Sequence, residues 1–142
     1  MNVKAKVNKL VRLYKTRNPF DIIKGMNVIL VYCPLKDIRG FYQYFQRNNI
    51  IYIDEHLSDS DKTFVLAHEL GHMLLHKKAN IIFMDTRTQL KTTQYEIEAN
   101  KFAMELLLPD DVLLEYIESG YTKEQISRIT GYHEKLIELR LR

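Results

Sequence analysis

Tryptophan is absent and cysteine nearly so: the 142 residues hold one Cys, three Pro and five Gly. The single Cys33 excludes an internal disulfide, the pattern of a chain kept in a reducing cytoplasm. Set in an apolar run, Cys33 reads as a buried structural thiol rather than a nucleophile. The longest apolar run, residues 28–35, falls far short of the roughly 20 residues that span a bilayer. The basic N-terminus is not followed by the apolar segment of a secretion signal, so a cytoplasmic protein without membrane contact is expected. Repeats and low-complexity segments are missing too, which excludes solenoids and linker-like chains.

What remains is ordinary globular material, 46% hydrophobic and 27% charged, at a length that suits one domain with a real core. The net charge of +3 is unevenly spread: residues 1–24 carry seven Lys/Arg against Asp21 alone. Such an arm can mark nucleic-acid contact. Val3, Val7, Leu10 and Tyr14 recur at helical spacing, however, so the cations read as the solvated face of an amphipathic helix over residues 2–17.

The scarce Pro and Gly punctuate the rest. Asn18-Pro19 starts a short helix stopped by Gly25. Residues 27–35 read as a strand. Residues 41–46 and 50–54 read as a hairpin turning through Arg47-Asn48-Asn49, where asparagine tolerates the turn geometry. A small antiparallel sheet follows. Its edge could hold an extended peptide by backbone hydrogen bonds, or simply wall the core. Residues 81–84 suggest a further short strand, and 85–92 a polar loop. Pro109 separates two helices, Thr122 and Gln125 form a capping-box pattern, and Gly131 divides a C-terminal helical pair within residues 110–142. With Arg128, Lys135, Arg140 and Arg142 that pair faintly suggests a helix-turn-helix; a core-closing pair is the preferred reading. The expected fold is α+β: one mostly helical domain, residues 1–142, with a small antiparallel sheet beside a metal-binding helix.

That helix is residues 64–76, apolar on nearly every side and therefore buried. It contains His68-Glu69-Leu70-Gly71-His72, the pattern H-E-x-x-H. Residues four apart share a helix face with Cβ atoms about 5–6 Å apart, so both imidazoles can reach one ion, zinc being the usual choice. Glu69 is rotated about a third of a turn away, placed to reach a water on the ion as general base. No Lys or Arg on its own helix can pair with it, and an uncompensated buried charge is costly. His76 lies two turns from His68, about 12 Å along the axis, too far to share that ion, and reads as a capping or surface residue.

A third ligand should come from the helix over residues 93–108. Glu96 shares an inward stripe with Ala99, Asn100, Ala103 and Leu107, whereas Glu98 falls with Lys101 and Glu105 on the wet side. Glu96 is the expected ligand and Glu98 the alternative. Ala99 and Ala103 could face Ala67 and Gly71, letting the helices approach closely, which would give Gly71 a reason. Asn100 could hydrogen-bond a ligand imidazole from behind. Tyr95, Arg87 and His133 are candidate substrate or oxyanion contacts.

These two segments resemble the ImmA/IrrE family of metallopeptidases, and within it the ImmA-like anti-repressors of phages and integrative elements. Residues 65–76 and 96–109 carry the likeness, with weaker echoes at 14–20 and 120–126. The resemblance implies a zincin or gluzincin-like fold and a zinc-dependent endopeptidase that cleaves a helix-turn-helix repressor of a prophage or mobile element. It implies His68, His72 and Glu96 as zinc ligands and Glu69 as catalytic base. Glu96 with Asn100 is similar to the E-x-x-x-D arrangement of gluzincins, with asparagine in place of aspartate. Direct nucleic-acid binding is not expected. The alternative is a metal-stabilised regulator that binds a repressor or DNA without cutting.

Overall fold

The computed structural model describes residues 2–76, 84–86 and 93–142. Asn2 caps α1 (Val3–Tyr14) by accepting from the Ala5 N–H, and Lys15 ends it with a left-handed φ of 58°. The stripe Val3, Val7 and Leu10 is buried, and its cations Lys4, Lys6, Lys9 and Arg12 are exposed, as the amphipathic reading requires. Asn18 caps α2 (Pro19–Gly25), with Pro19 in the first turn.

Three strands follow, β1 (Ile29–Cys33), β2 (Ile38–Phe45) and β3 (Asn48–Asp54). A fourth, β4 (Met84–Thr86), completes a sheet in the order β1-β3-β2-β4. The hairpin forms with a shorter turn than expected. Its corner residues are Gln46 and Arg47, with φ of 49° and 64°, not the asparagines. The primed turn that matches strand twist needs positive φ at both positions. Asn48 serves it from the strand, donating through Nδ2 to the Gln46 carbonyl at 3.1 Å.

The sheet is also not purely antiparallel: β2 runs antiparallel to β3 and β4, but β1 is parallel to β3. Pro34, which has no N–H to offer a ladder, follows directly on β1. Leu35 then donates its N–H to the buried Asp54 Oδ1 at 3.1 Å, which draws the chain out of the sheet and leaves the place beside β1 to β3. Cys33, at the end of β1, is only half-buried.

Helix α3 (Asp59–His76) starts where Ser58 Oγ accepts from the Asp61 N–H, with Asp59 and Asp61 in its first turn. It lies against β2, β3, α2 and α4 (Gln94–Leu107). Two glycines set the spacing. A Cβ on Gly40 would stand 2.7 Å from Val65 Cγ1 and from the Tyr52 carbonyl, so the sheet can meet α3 only with glycine there. A Cβ on Gly71 would lie 3.1 Å from Phe102 Cβ. Close approach is therefore the role of Gly71, as expected, but its nearest neighbour is the Phe102 side chain rather than Ala99 or Ala103. Ile51, Ile53, Val65, Leu66, Leu70, Phe102 and Leu106 are essentially without solvent exposure. At about 1.5–3 kcal/mol for each large apolar side chain buried, this core fixes α3 relative to α4.

Three helices close the described chain, α5 (Asp110–Glu118), α6 (Lys123–Thr130) and α7 (Glu134–Leu141). Both halves of the Thr122/Gln125 capping box are made, and Gly131 ends α6 at a φ of 82°. α7 packs on α4 and on α6, the core-closing arrangement. Arg140, one of the basic residues that hinted at nucleic acid, is buried: its Nε donates to the Leu108 carbonyl at 2.9 Å and a terminal nitrogen donates to Asp110 at 2.6 Å. No helix among the described residues is long and apolar enough to cross a membrane.

Candidate metal centre

From Phe64 to Met73, and again at His76, α3 is buried, so its polar residues there meet protein rather than solvent. His68, Glu69, His72 and His76 are all buried on it. Thr93 caps α4, its hydroxyl accepting from the Glu96 N–H at 3.3 Å. This places the Glu96 carboxylate in the first helical turn, where the macrodipole favours a negative charge.

Three side chains converge there. His68 Nε2 stands 3.1 Å from Glu96 Oε2, His72 Nε2 stands 2.8 Å from Glu96 Oε1, and the two imidazole Nε2 atoms are 3.1 Å apart. One ligand atom from each residue lies within 4.8 Å of the others, and all three side chains are buried. Burial pushes the His72 pKa down to about 4, against the opposing pull of Glu96. Burial would raise the Glu96 pKa, but hydrogen bonds from His68 and His72 outweigh it and hold the carboxyl well below the usual range. A neutral imidazole and an ionised carboxylate are the states a metal needs in its ligands. Two imidazole nitrogens and one carboxylate oxygen also match the donor types of a three-ligand catalytic site. The residues present fit a divalent ion.

Glu69 is fully buried directly after His68. Asn100 is buried one turn beyond Glu96, and its Oδ1 has no hydrogen-bond partner among the described residues. Tyr95 is partly exposed, its ring edge-on to His76 with centroids 4.8 Å apart. His133 is exposed and caps α7, its Nδ1 accepting from the Lys135 N–H at 3.1 Å. Arg87 lies outside the described residues.

Two readings change. His76 is neither a surface residue nor a helix cap: it is 4% exposed, its Nδ1 is 2.9 Å from His72 Nδ1, and its Nε2 is 3.0 Å from Glu98 Oε1. Glu98 correspondingly is half-buried rather than on the wet side. Helical spacing measured from Glu96 alone missed that the last residue of α3 reaches across to it. The available signal was the second i, i+4 pair of histidines, His72 and His76, on a helix with almost no polar face.

A family model described as Peptidase_M78, the IrrE N-terminal-like domain, matches residues 23–142. Over 139 residues the chain is 41% identical to "Uncharacterized immunity region protein 2" of Bacillus phage phi105, covering 97% of this chain and 88% of that protein. It is 32% identical over 130 residues to Metallopeptidase ImmA of Bacillus subtilis (strain 168), covering 88% of this chain and 75% of that protein.

Proposed function

The chain belongs to the IrrE N-terminal-like family of metallopeptidases, Peptidase_M78, and from that membership we propose that it is a zinc-dependent endopeptidase acting on a helix-turn-helix repressor. The observation that carries the reading is the meeting of His68 and His72 from one helix with Glu96 from another, all buried. His68, His72 and Glu96 would hold the zinc. When bound, zinc supplies Lewis acidity, polarising a carbonyl and bringing the pKa of a bound water toward about 7.

The chain's own residues supply the rest. Glu69, as general base, takes the proton of the attacking water and passes it to the departing amine as the C–N bond breaks. A donor to the oxyanion is sought among Tyr95, Arg87 and His133. Asn100 offers a spare buried acceptor beside Glu96 to steady the site. Residues 1–142 act as one catalytic unit inside the cell, where a cytoplasmic repressor would be met.

The repressor as substrate is supported by the resemblance of both helix motifs to anti-repressor peptidases, and by relatives named for a phage immunity region and for ImmA. The test is to mix the protein with the helix-turn-helix repressor encoded beside it, with and without a chelator, and to resolve the products on a gel. Discrete repressor fragments that vanish with chelator are expected. Tight repressor binding, indifferent to chelator and without fragments, would replace the peptidase by a regulator that only binds.

A further inference from the structure

Behind the metal centre the polar contacts continue in a line. His72 presents Nε2 to His68 and Glu96, and its other nitrogen, Nδ1, stands 2.9 Å from His76 Nδ1. His76 Nε2 in turn stands 3.0 Å from Glu98 Oε1. The Tyr95 ring closes on His76 edge-on, at 72° between planes. We infer that His76 and Glu98 form a two-member relay that fixes the tautomer and orientation of the ligand His72. The inference rests on the metal reading above and extends it to two residues outside the ligand set.

The argument follows from proton counting. A neutral imidazole carries one N–H and one acceptor nitrogen. If His72 offers the Nε2 lone pair to an ion, its proton must sit on Nδ1, which then donates to His76 Nδ1. His76 Nδ1 must therefore be the acceptor, its own proton lies on Nε2, and that N–H donates to the Glu98 carboxylate. Each contact has one consistent direction, and the chain ends on a group that only accepts. A ligating histidine commonly has its second nitrogen held by a carboxylate or carbonyl, which orients the ring and raises its basicity. Here a second imidazole is interposed, so the carboxylate acts through His76. His76 and Glu98 are positioning residues: neither belongs to the converging triad.

The test measures zinc affinity by competition with a chromophoric chelator, alongside the thermal midpoint of each metal-free protein. His76→Phe fills the space but can neither accept nor donate, and should weaken zinc binding about 10–100-fold, the usual cost of losing an outer partner. His76→Gln can accept from His72 and donate to Glu98, and should recover much of that loss. Glu98→Gln keeps an acceptor without charge and should bind better than Glu98→Ala; this pair carries the test if His76→Phe does not fold. In the zinc-loaded parent protein, long-range proton–nitrogen-15 spectra should show His72 protonated on Nδ1 and His76 on Nε2. A folded His76→Phe with parental zinc affinity, or the opposite His76 tautomer, overturns the relay and leaves the metal centre standing. A parent protein that takes up no zinc would overturn both.

Discussion

Helix α4 carries a polar cluster near each end. At its start, Glu96 meets His68 and His72. At its finish, Arg140 reaches the Leu108 carbonyl, Asp110 and Glu105, while Arg17 donates to the carbonyls of Glu105 and Leu106 at 3.0 and 3.2 Å. Lys4 of α1 joins the second group through Asp110. In that clamp every cationic donor ends on an acceptor, and its anions retain access to water, so folding alone accounts for it. It ties α1, α5 and α7 to the last turn of α4, whose terminal carbonyls need partners. The cluster at the start differs. Two buried imidazoles and one buried carboxylate turn their ligand atoms toward a single point, an arrangement with little to gain for folding unless a cation completes it. Pairwise cancellation marks the structural cluster, and convergence marks the proposed metal site.

Substitutions at the two ends should separate these roles. The largest effect is expected from Glu96→Ala, which should strip zinc from the protein on dialysis and abolish repressor cleavage. Metal analysis and the gel assay read both, and circular dichroism should still report a folded protein. Next comes Glu69→Gln: zinc should be retained while cleavage falls about 10²–10⁴-fold, the usual contribution of a positioned acid–base group. Retained turnover would remove Glu69 from the mechanism. At the other end, Arg140→Met should lower unfolding stability by about 1–3 kcal/mol, through the loss of bonds to a buried carbonyl and to carboxylates. It should leave zinc affinity untouched. If Arg140→Met weakened zinc as severely as Glu96→Ala does, the division between the two clusters would collapse.

Much of the first cluster was legible in the sequence because helical geometry is rigid. Four residues' spacing brings His68 and His72 together whatever surrounds them, and the inward stripe Ala99, Asn100 and Ala103 singled out Glu96. Local signals with a defined mechanism also read true: the Thr122/Gln125 box, the Asn18-Pro19 start and the Gly131 stop. Contacts made across elements were harder to see. His76 and Glu98 are 22 residues apart, and nothing local to either announces the other. The parallel pairing of β1 with β3 depends on where the chain leaves β1, and the Gln46-Arg47 corner depends on the register of β2 against β3. The clamp was concealed for the same reason. Arg140 looked like one member of a basic surface until α7 was seated on α4.

The smallest effect, and the finest probe of the clamp, concerns Asp110. Its side chain is largely exposed, yet hydrogen bonds from Lys4 and Arg140 bring its pKa down to about 2 from 3.8. A carboxyl with a depressed folded pKa stabilises the fold only when ionised. That contribution is complete above the unfolded value near 3.8 and is lost as the pH drops through about 2. Solvent screening limits it to roughly 1 kcal/mol or less. Asp110→Asn should therefore lower the thermal midpoint slightly at neutral pH, and the gap to the parent protein should shrink between about pH 4 and pH 2. Added salt should narrow the same gap, because screening weakens exposed ion pairs. At neutral pH Asp110→Asn should leave zinc affinity unaltered, since the centre at the opposite end of α4 shares none of these charges. A gap that stayed constant down to pH 2 would show that Asp110 acts through packing, and that the clamp does not depend on charge at this position.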